Sequence, residues 1–166
     1  MREYVTNALV LSLTPTGEQD GRVALFSEHL GRVSAKATSI RKISSKLAGH
    51  VQPLNFVTVR LVETGGLQVA DAISTGRLPV AALPALRLLA VVAPEWNADP
   101  RLWAFVHSAA VSVRSILGAA GFDPAQAACV SCGKREPEYF SLADASFICA
   151  ACLPPAHARD SFVGVD

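Results

Sequence analysis

The hydrophobic pattern changes period once along the chain, near residue 79. Before that point apolar positions recur at short spacing between turn residues, which is a strand pattern. Residues 4–13 form a Val- and Leu-rich run that ends at the polar turn "TPTGEQDG". In residues 22–27, Val23 and Leu25 face one way and Ala24 and Phe26 the other. A turn at Gly31 leads into a third candidate strand over residues 32–38. "FVTVRLVET" and "LQVADAIST" are joined by Gly65 and Gly66, a hairpin signal. Five short strands in about eighty residues predict a small closed barrel, and the OB-fold is the five-stranded member of that class.

From residue 79 the chain turns helical. Residues 79–92 are rich in Ala and Leu. Over residues 99–117, Asp99 is a plausible N-cap and Pro100 takes the first helical position. Leu102, Phe105, Val106, Ala109, Val113, Ile116 and Leu117 recur there every three or four residues, predicting one core-facing helix ended by Gly118 and Gly121. Trp96, Trp103 and His107 fall in this helical middle. After Phe122 the cysteines and several prolines follow, with no further periodic segment. The expected architecture is α+β: an OB-fold nucleic-acid-binding domain over residues 1–78, and a small helical domain with a zinc-binding element at residues 129–152 over residues 79–166.

Composition supports a folded chain: 51% of residues are hydrophobic and 17% charged, outside the range of disordered proteins. The apolar patch near the N-terminus lacks a cleavage-site pattern, and Glu3 stands where a signal peptide would be basic. No apolar run reaches the length of a membrane span. A soluble cytoplasmic protein is expected.

The cysteines bring in chemistry. Cys129 and Cys132 are separated by two residues, as are Cys149 and Cys152, with sixteen residues between the pairs. A two-residue gap lets one tight turn aim two thiolates at one ion, and two such turns complete a tetrahedron. Gly133 suits a backbone that must curl so its amides face the sulfurs. The spacing favours zinc over a disulfide or unrelated core cysteines. A four-cysteine site has no open coordination position, so one structural Zn2+ is expected. A redox role would call for a βαβ setting, which the pattern lacks.

Charge alters the picture of the barrel. The chain's net charge is +1, yet residues 29–62 hold six Lys or Arg and no acid. Residues 1–80 carry nine bases against six acids, and residues 81–166 six against eight. Arg32, Lys36, Arg41, Lys42 and Lys46 lie in the basic stretch. Residues 39–54 within it are where an OB-fold sets a helix or long loop beside its ligand face. Anion binding is favoured over an ordinary solvated surface. Thr38, Ser39, Ser44 and Ser45 add hydroxyl donors. Phe26, Phe56 and Tyr4 read as core, so nucleic-acid contact should lean on charge more than on stacking. Neither a catalytic triad in context nor a phosphate-binding loop nor a zinc-protease motif is present, so no enzyme is expected.

Two long stretches carry a resemblance. "GEQDGRVALFSEHLGRVSAKATSIRKISSKLAGHVQPLNFVTVRLVETGGLQVADA" resembles the N-terminal region of the bacterial RecO family of DNA repair proteins, and "ILGAAGFDPAQAACVSCGK...FICAAC" is similar to that family's approach to its four-cysteine element. The resemblance implies an OB-fold, a helical domain and a zinc element. It also implies a recombination mediator that binds single- and double-stranded DNA, anneals strands, and works with RecR to load RecA onto DNA coated by single-stranded DNA-binding protein. Arg32, Lys36, Arg41, Lys42 and Lys46 would form its basic surface, and Cys129, Cys132, Cys149 and Cys152 its zinc ligands. Family members usually carry a longer helical middle and further helices after the second cysteine pair, while 14 residues follow Cys152 here. A contact with the tail of single-stranded DNA-binding protein is therefore the least supported of the implied partners. The other readings are an adaptor working through its helical or zinc part, with little DNA binding, and a generic RNA-binding OB-fold with a zinc ribbon.

Overall fold

The computed structural model describes residues 1–108 and 111–165, with His157 by its backbone alone. The chain divides into two compact units. Residues 1–83 and 93–100 form the first, and residues 84–92 and 101–166 the second.

The first unit is a closed barrel of β1 (Arg2–Thr16), β2 (Asp20–Ser27), β3 (Gly31–Ala37), β4 (Asn55–Glu63) and β5 (Leu67–Arg77) in the order β1-β2-β3-β5-β4. This is the OB-fold. Closure comes from β1, whose first half pairs with β4 and second half with β2. The register shifts between Val10 and Ser12, and the continuous apolar run "ALVL" lies at that irregularity, buried on every residue from Ala8 to Leu11. Both strands of the first hairpin extend into the expected turn, because Thr14, Pro15 and Thr16 pair with Arg22, Gly21 and Asp20. Only three residues remain between them, with Gly17 at φ 68°.

Val23, Leu25, Val33, Ala35, Val57, Val59, Leu61 and Val69 fill the interior. Each large aliphatic side chain buried this way contributes about 1.5–3 kcal/mol. Strand β3 meets β5 through one parallel bridge, Lys36 with Gln68. The connection 38–54 is a loop of turns that sends Ile40 and Val51 into the same core. Residues 93–97, expected in the helical part, belong with the barrel: Arg32 N–H donates to the Pro94 carbonyl at 2.9 Å and Trp96 N–H to the Arg32 carbonyl at 3.2 Å. They add a short segment bridged to β3 through Arg32 and Glu95, where β5 meets β3 at a single bridge.

The second unit contains α1 (Leu83–Val92, beginning at the boundary), α2 (Pro100–His107) and α3 (Val113–Ala119). The single helix expected over residues 99–117 is thus two. Pro100 does open the first, and Leu102 and Val106 are buried on it, but Phe105 is exposed. Ser112 interrupts the pattern: it is extended, and its hydroxyl accepts from Ser115 N–H at 3.1 Å while Ser115 Oγ accepts from Ser112 N–H at 3.1 Å. That reciprocal cap starts a new helix where periodicity alone reads continuity. Ala109 lies outside the described residues. Helix α3 ends as expected around Gly121, at φ 89°: Phe122 N–H reaches the Leu117 carbonyl at 2.8 Å and Gly121 N–H the Gly118 carbonyl at 3.2 Å.

Beyond Phe122, where the sequence shows no further periodic segment, short strands form. Strands β6 (Tyr139–Ser141), β7 (Ser146–Ile148) and β8 (Phe162–Gly164) make a sheet in the order β7-β6-β8. Three residues are too few to display a period. Phe140, fully buried, meets the rings of Phe122 and Phe147 edge-on at 5.3 and 5.0 Å. No helix among the described residues is long and apolar enough to cross a membrane.

Candidate metal centre and nucleic-acid interface

The two cysteine pairs converge. The sulfurs of Cys129, Cys132, Cys149 and Cys152 all lie within 4.8 Å of one another, and none is in a disulfide. Cys132 Sγ and Cys149 Sγ are 3.6 Å apart. A tetrahedral ion with metal–sulfur bonds of about 2.3 Å needs sulfurs about 3.8 Å apart, so the cage has the right size for one metal ion.

Local backbone geometry explains the convergence. Gly133, at φ 74°, donates its N–H to the Cys129 carbonyl at 2.8 Å, and Cys129 N–H donates to the Lys134 carbonyl at 2.8 Å. This curls the first pair into a tight knuckle. Val130 N–H reaches the Phe147 carbonyl at 2.9 Å, tying that knuckle to β7, which delivers Cys149. Glu138 joins the two turns: it takes Lys134 Nζ at 2.7 Å on one oxygen and Ala150 N–H at 3.0 Å on the other. Sequence reading passed over Glu138. The Lys134–Glu138 spacing of four was its only signal.

The thiols do not behave alike. The Cys129 thiol is drawn down to about 6, first by the Cys149 amide, against the opposing effect of burial. The Cys152 thiol is pushed up to about 12, chiefly through hydrogen bonding to Cys132 and then Cys149. Cys129 thus ionises more readily than an ordinary thiol, and thiolate is the form that ligates a metal.

On the barrel, the expected basic residues separate into two groups. Lys36, Arg41 and Lys42 gather near the β1–β2 turn. Lys36 Nζ is 2.8 Å from Asp20 Oδ2, while the other oxygen of Asp20 accepts Ser39 N–H at 2.8 Å, where the backbone turns through φ 54°. Lys36 first, then the Ser39 amide, hold the Asp20 carboxyl below its usual range. Arg41 is fastened to the turn by its N–H on the Gln19 carbonyl at 3.0 Å and its guanidinium on the Gly17 carbonyl at 3.3 Å. Lys42 and Lys46 are exposed and form no salt bridge among the described residues.

Arg32 is different. Its guanidinium donates to the Ala93 carbonyl at 3.1 Å and pairs with Glu95 at 2.9 Å, leaving the side chain 29% exposed. It stands at the far end of β3 from the cluster, engaged with the barrel's own added segment. Arg22, in contrast, faces the cluster. It is exposed, and pairs across the hairpin with Lys36. Sequence reading omitted Arg22 because it lies outside the basic run. The hairpin centred near His29 was the available signal, since that turn sets 22 opposite 36. Strands 2 and 3 and the first hairpin loop are the ligand-binding side of OB-folds in general.

Comparison with known proteins agrees with this architecture. Residues 1–76 match the family described as "Recombination protein O N terminal". The chain is 25% identical over 178 residues to the DNA repair protein RecO of Bifidobacterium longum (strain DJO10A), covering 91% of this chain and 74% of that protein. It is 29% identical over 189 residues to the DNA repair protein RecO of Cutibacterium acnes (strain DSM 16379 / KPA171202), covering 93% and 76%. A shorter match, 38% identical over 69 residues, links it to the DNA repair protein RecO of Myxococcus xanthus (strain DK1622), covering 42% of this chain and 28% of that protein. The OB barrel thus matches the N-terminal domain of the RecO family, and the similarity to RecO proteins runs on through the helical and cysteine-bearing unit.

Proposed function

We propose that this chain is a DNA-binding protein of repair and recombination that acts by holding and neutralising strands. The reading is carried by the cationic group of Arg22, Lys36, Arg41 and Lys42 on the β2–β3 side of an OB barrel and around its first turn. Bringing two phosphate backbones together is opposed mainly by charge repulsion, which such a surface offsets by displacing condensed counterions. Annealing of complementary strands needs no bond-making residue, so the protein works without catalysis of its own. The resemblance to RecO proteins supports a place beside RecR, in loading RecA onto single strands in the cytoplasm. One Zn2+ held by Cys129, Cys132, Cys149 and Cys152 supports the second unit structurally: four thiolates at these separations match its preference for sulfur and for a tetrahedron.

The test is a salt titration of binding to single-stranded and duplex oligonucleotides. With Arg32 paired to Glu95 and Lys36 to Asp20, Arg22, Arg41, Lys42 and Lys46 remain; about four phosphate contacts give a log–log slope near −3 on single strands. Absence of binding at 50 mM salt sinks this reading and leaves the protein as an adaptor. The ion pairs of Arg32 and Lys36 favour that second reading, because they reduce the charge free for phosphate.

A further inference from the structure

Trp96 is out of keeping with the rest of the barrel unit. Its side chain is 55% exposed, and its backbone sits at φ 51°, a region bulky residues seldom enter. Strain of this kind persists only where surrounding contacts over-determine it. They do so here. Arg32 accepts the Trp96 N–H on its carbonyl, donates its own N–H to Pro94, and clasps Ala93 and Glu95 with its guanidinium. Gly31, at φ 70°, lies so close to the Asn97 backbone that no Cβ fits between them. The Tyr4 ring backs the indole edge-on, with centroids 6.5 Å apart. Two successive positions of β3 are thereby committed to holding a large aromatic ring toward water.

We propose that Trp96 is a stacking platform for a base of single-stranded nucleic acid, and that Arg32 is its positioning residue rather than a phosphate contact. This rests on the DNA-binding reading above and deepens it. The occupant follows from what lies beside the ring. Ser34 and Lys36 continue along the face of β3 that begins with Arg32, and Lys36 is about 13 Å further on at the usual strand rise. There the face joins Arg22, Arg41 and Lys42. A strand lying along β3 has its backbone neutralised at one end and a base held at the other. Stacking accepts any base, because every base offers a π-face.

Trp103→Phe leaves Trp96 as the single tryptophan, since the chain has two. A fluorescein-labelled thymidine oligonucleotide titrated into this variant at low salt reports binding by anisotropy and stacking by tryptophan emission. Emission is expected to be quenched in step with the anisotropy rise. Trp96→Ala weakens single-strand affinity about tenfold, Trp96→Phe weakens it less, and duplex affinity changes less than about twofold in both. Arg32→Ala should shift the emission and abolish the quench. Anisotropy that rises without quench, with Trp96→Ala binding as tightly as its parent, overturns the platform, keeps the DNA-binding reading, and leaves the indole as an anchor for a protein partner. No rise in anisotropy overturns both. Equal losses in the Ala and Phe variants, together with a lowered melting temperature, overturn the platform in favour of a structural role.

Discussion

Lys36 Nζ lies 2.8 Å from Oδ2 of Asp20, so one cation of the basic surface is held by the acid that also anchors the loop carrying the others. Asp20 has two duties that can be separated. Asp20→Asn keeps an oxygen for the Ser39 amide but removes the charge. Oligonucleotide affinity should rise a few-fold, and the salt slope should steepen by about 0.7 as Lys36 is released. Asp20→Ala loses both duties and should loosen the loop, seen as faster amide exchange at Ser39 and Arg41. An Asn variant with unchanged affinity and slope means Lys36 does not meet phosphate.

Arg41, Lys42 and Lys46 occupy one connection, and none of the three forms a salt bridge among the described residues. Changing all three to Glu should weaken oligonucleotide binding more than tenfold at 50 mM salt and make the single-strand slope shallower by about 2. Circular dichroism should be unaffected, because these side chains are exposed and the loop is held in place by Ile40 and Val51.

The cysteine cage should hold one equivalent of zinc in the full chain purified without chelator, measured by elemental mass spectrometry. Cys149→Ser, at the buried end of the cage, should lose the metal and the order of the second unit while barrel resonances in an NMR spectrum stay in place. Cysteines found oxidised in pairs, with no metal, would falsify the zinc assignment.

Gly31→Ala tests how tightly the added segment is held. A Cβ here must take up φ 70° and also displace the Asn97 backbone. The left-handed conformation alone costs about 1–2 kcal/mol. The variant should unfold at lower urea concentration, and its Trp96 emission should move toward that of free indole in water.

Glu138 and Asp20 give the protein an acid limit. Lys134 first, then the Ala150 amide, hold Glu138 below its ordinary value of 4.5. A carboxylate with a lowered folded pKa contributes stability that is whole above the ordinary value and is lost as pH falls through the folded one. The Glu138 pair is well exposed, so its contribution is small. Urea midpoints should hold steady from pH 7 to about 5 and fall below about 4.5. Glu138→Gln should flatten part of that fall. An identical acid profile in the variant would show that the bridge between the knuckles is not felt in stability.

Patterns local in the chain were enough for the barrel and the cage. Alternation of apolar and polar residues is set by side-chain direction in a strand, so the five strands were legible from short windows. Turn glycines and the two-residue cysteine spacing express the same local rules at Gly65, Gly121 and Gly133. The strands grew at their ends, and the long helix split at Ser112, because pairing partners and a side-chain cap outweigh periodicity there.

What the chain order could not disclose is which distant groups meet. Five bases in one stretch look equivalent as letters. Pairing across the hairpin brings in Arg22, Asp20 ties up Lys36, and Glu95, more than sixty residues away, takes Arg32. Likewise Trp96 reads as part of a helical region, yet the bridge between Arg32 and Glu95 ties its segment to β3. The sequence by itself determined the strand period of the barrel, the sign of the charge and the paired spacing of the cysteines, since these depend on neighbours in the chain. Only the tertiary structure decided which cations stay available and which aromatic ring faces water, since those depend on hydrogen bonds and ion pairs formed between strands.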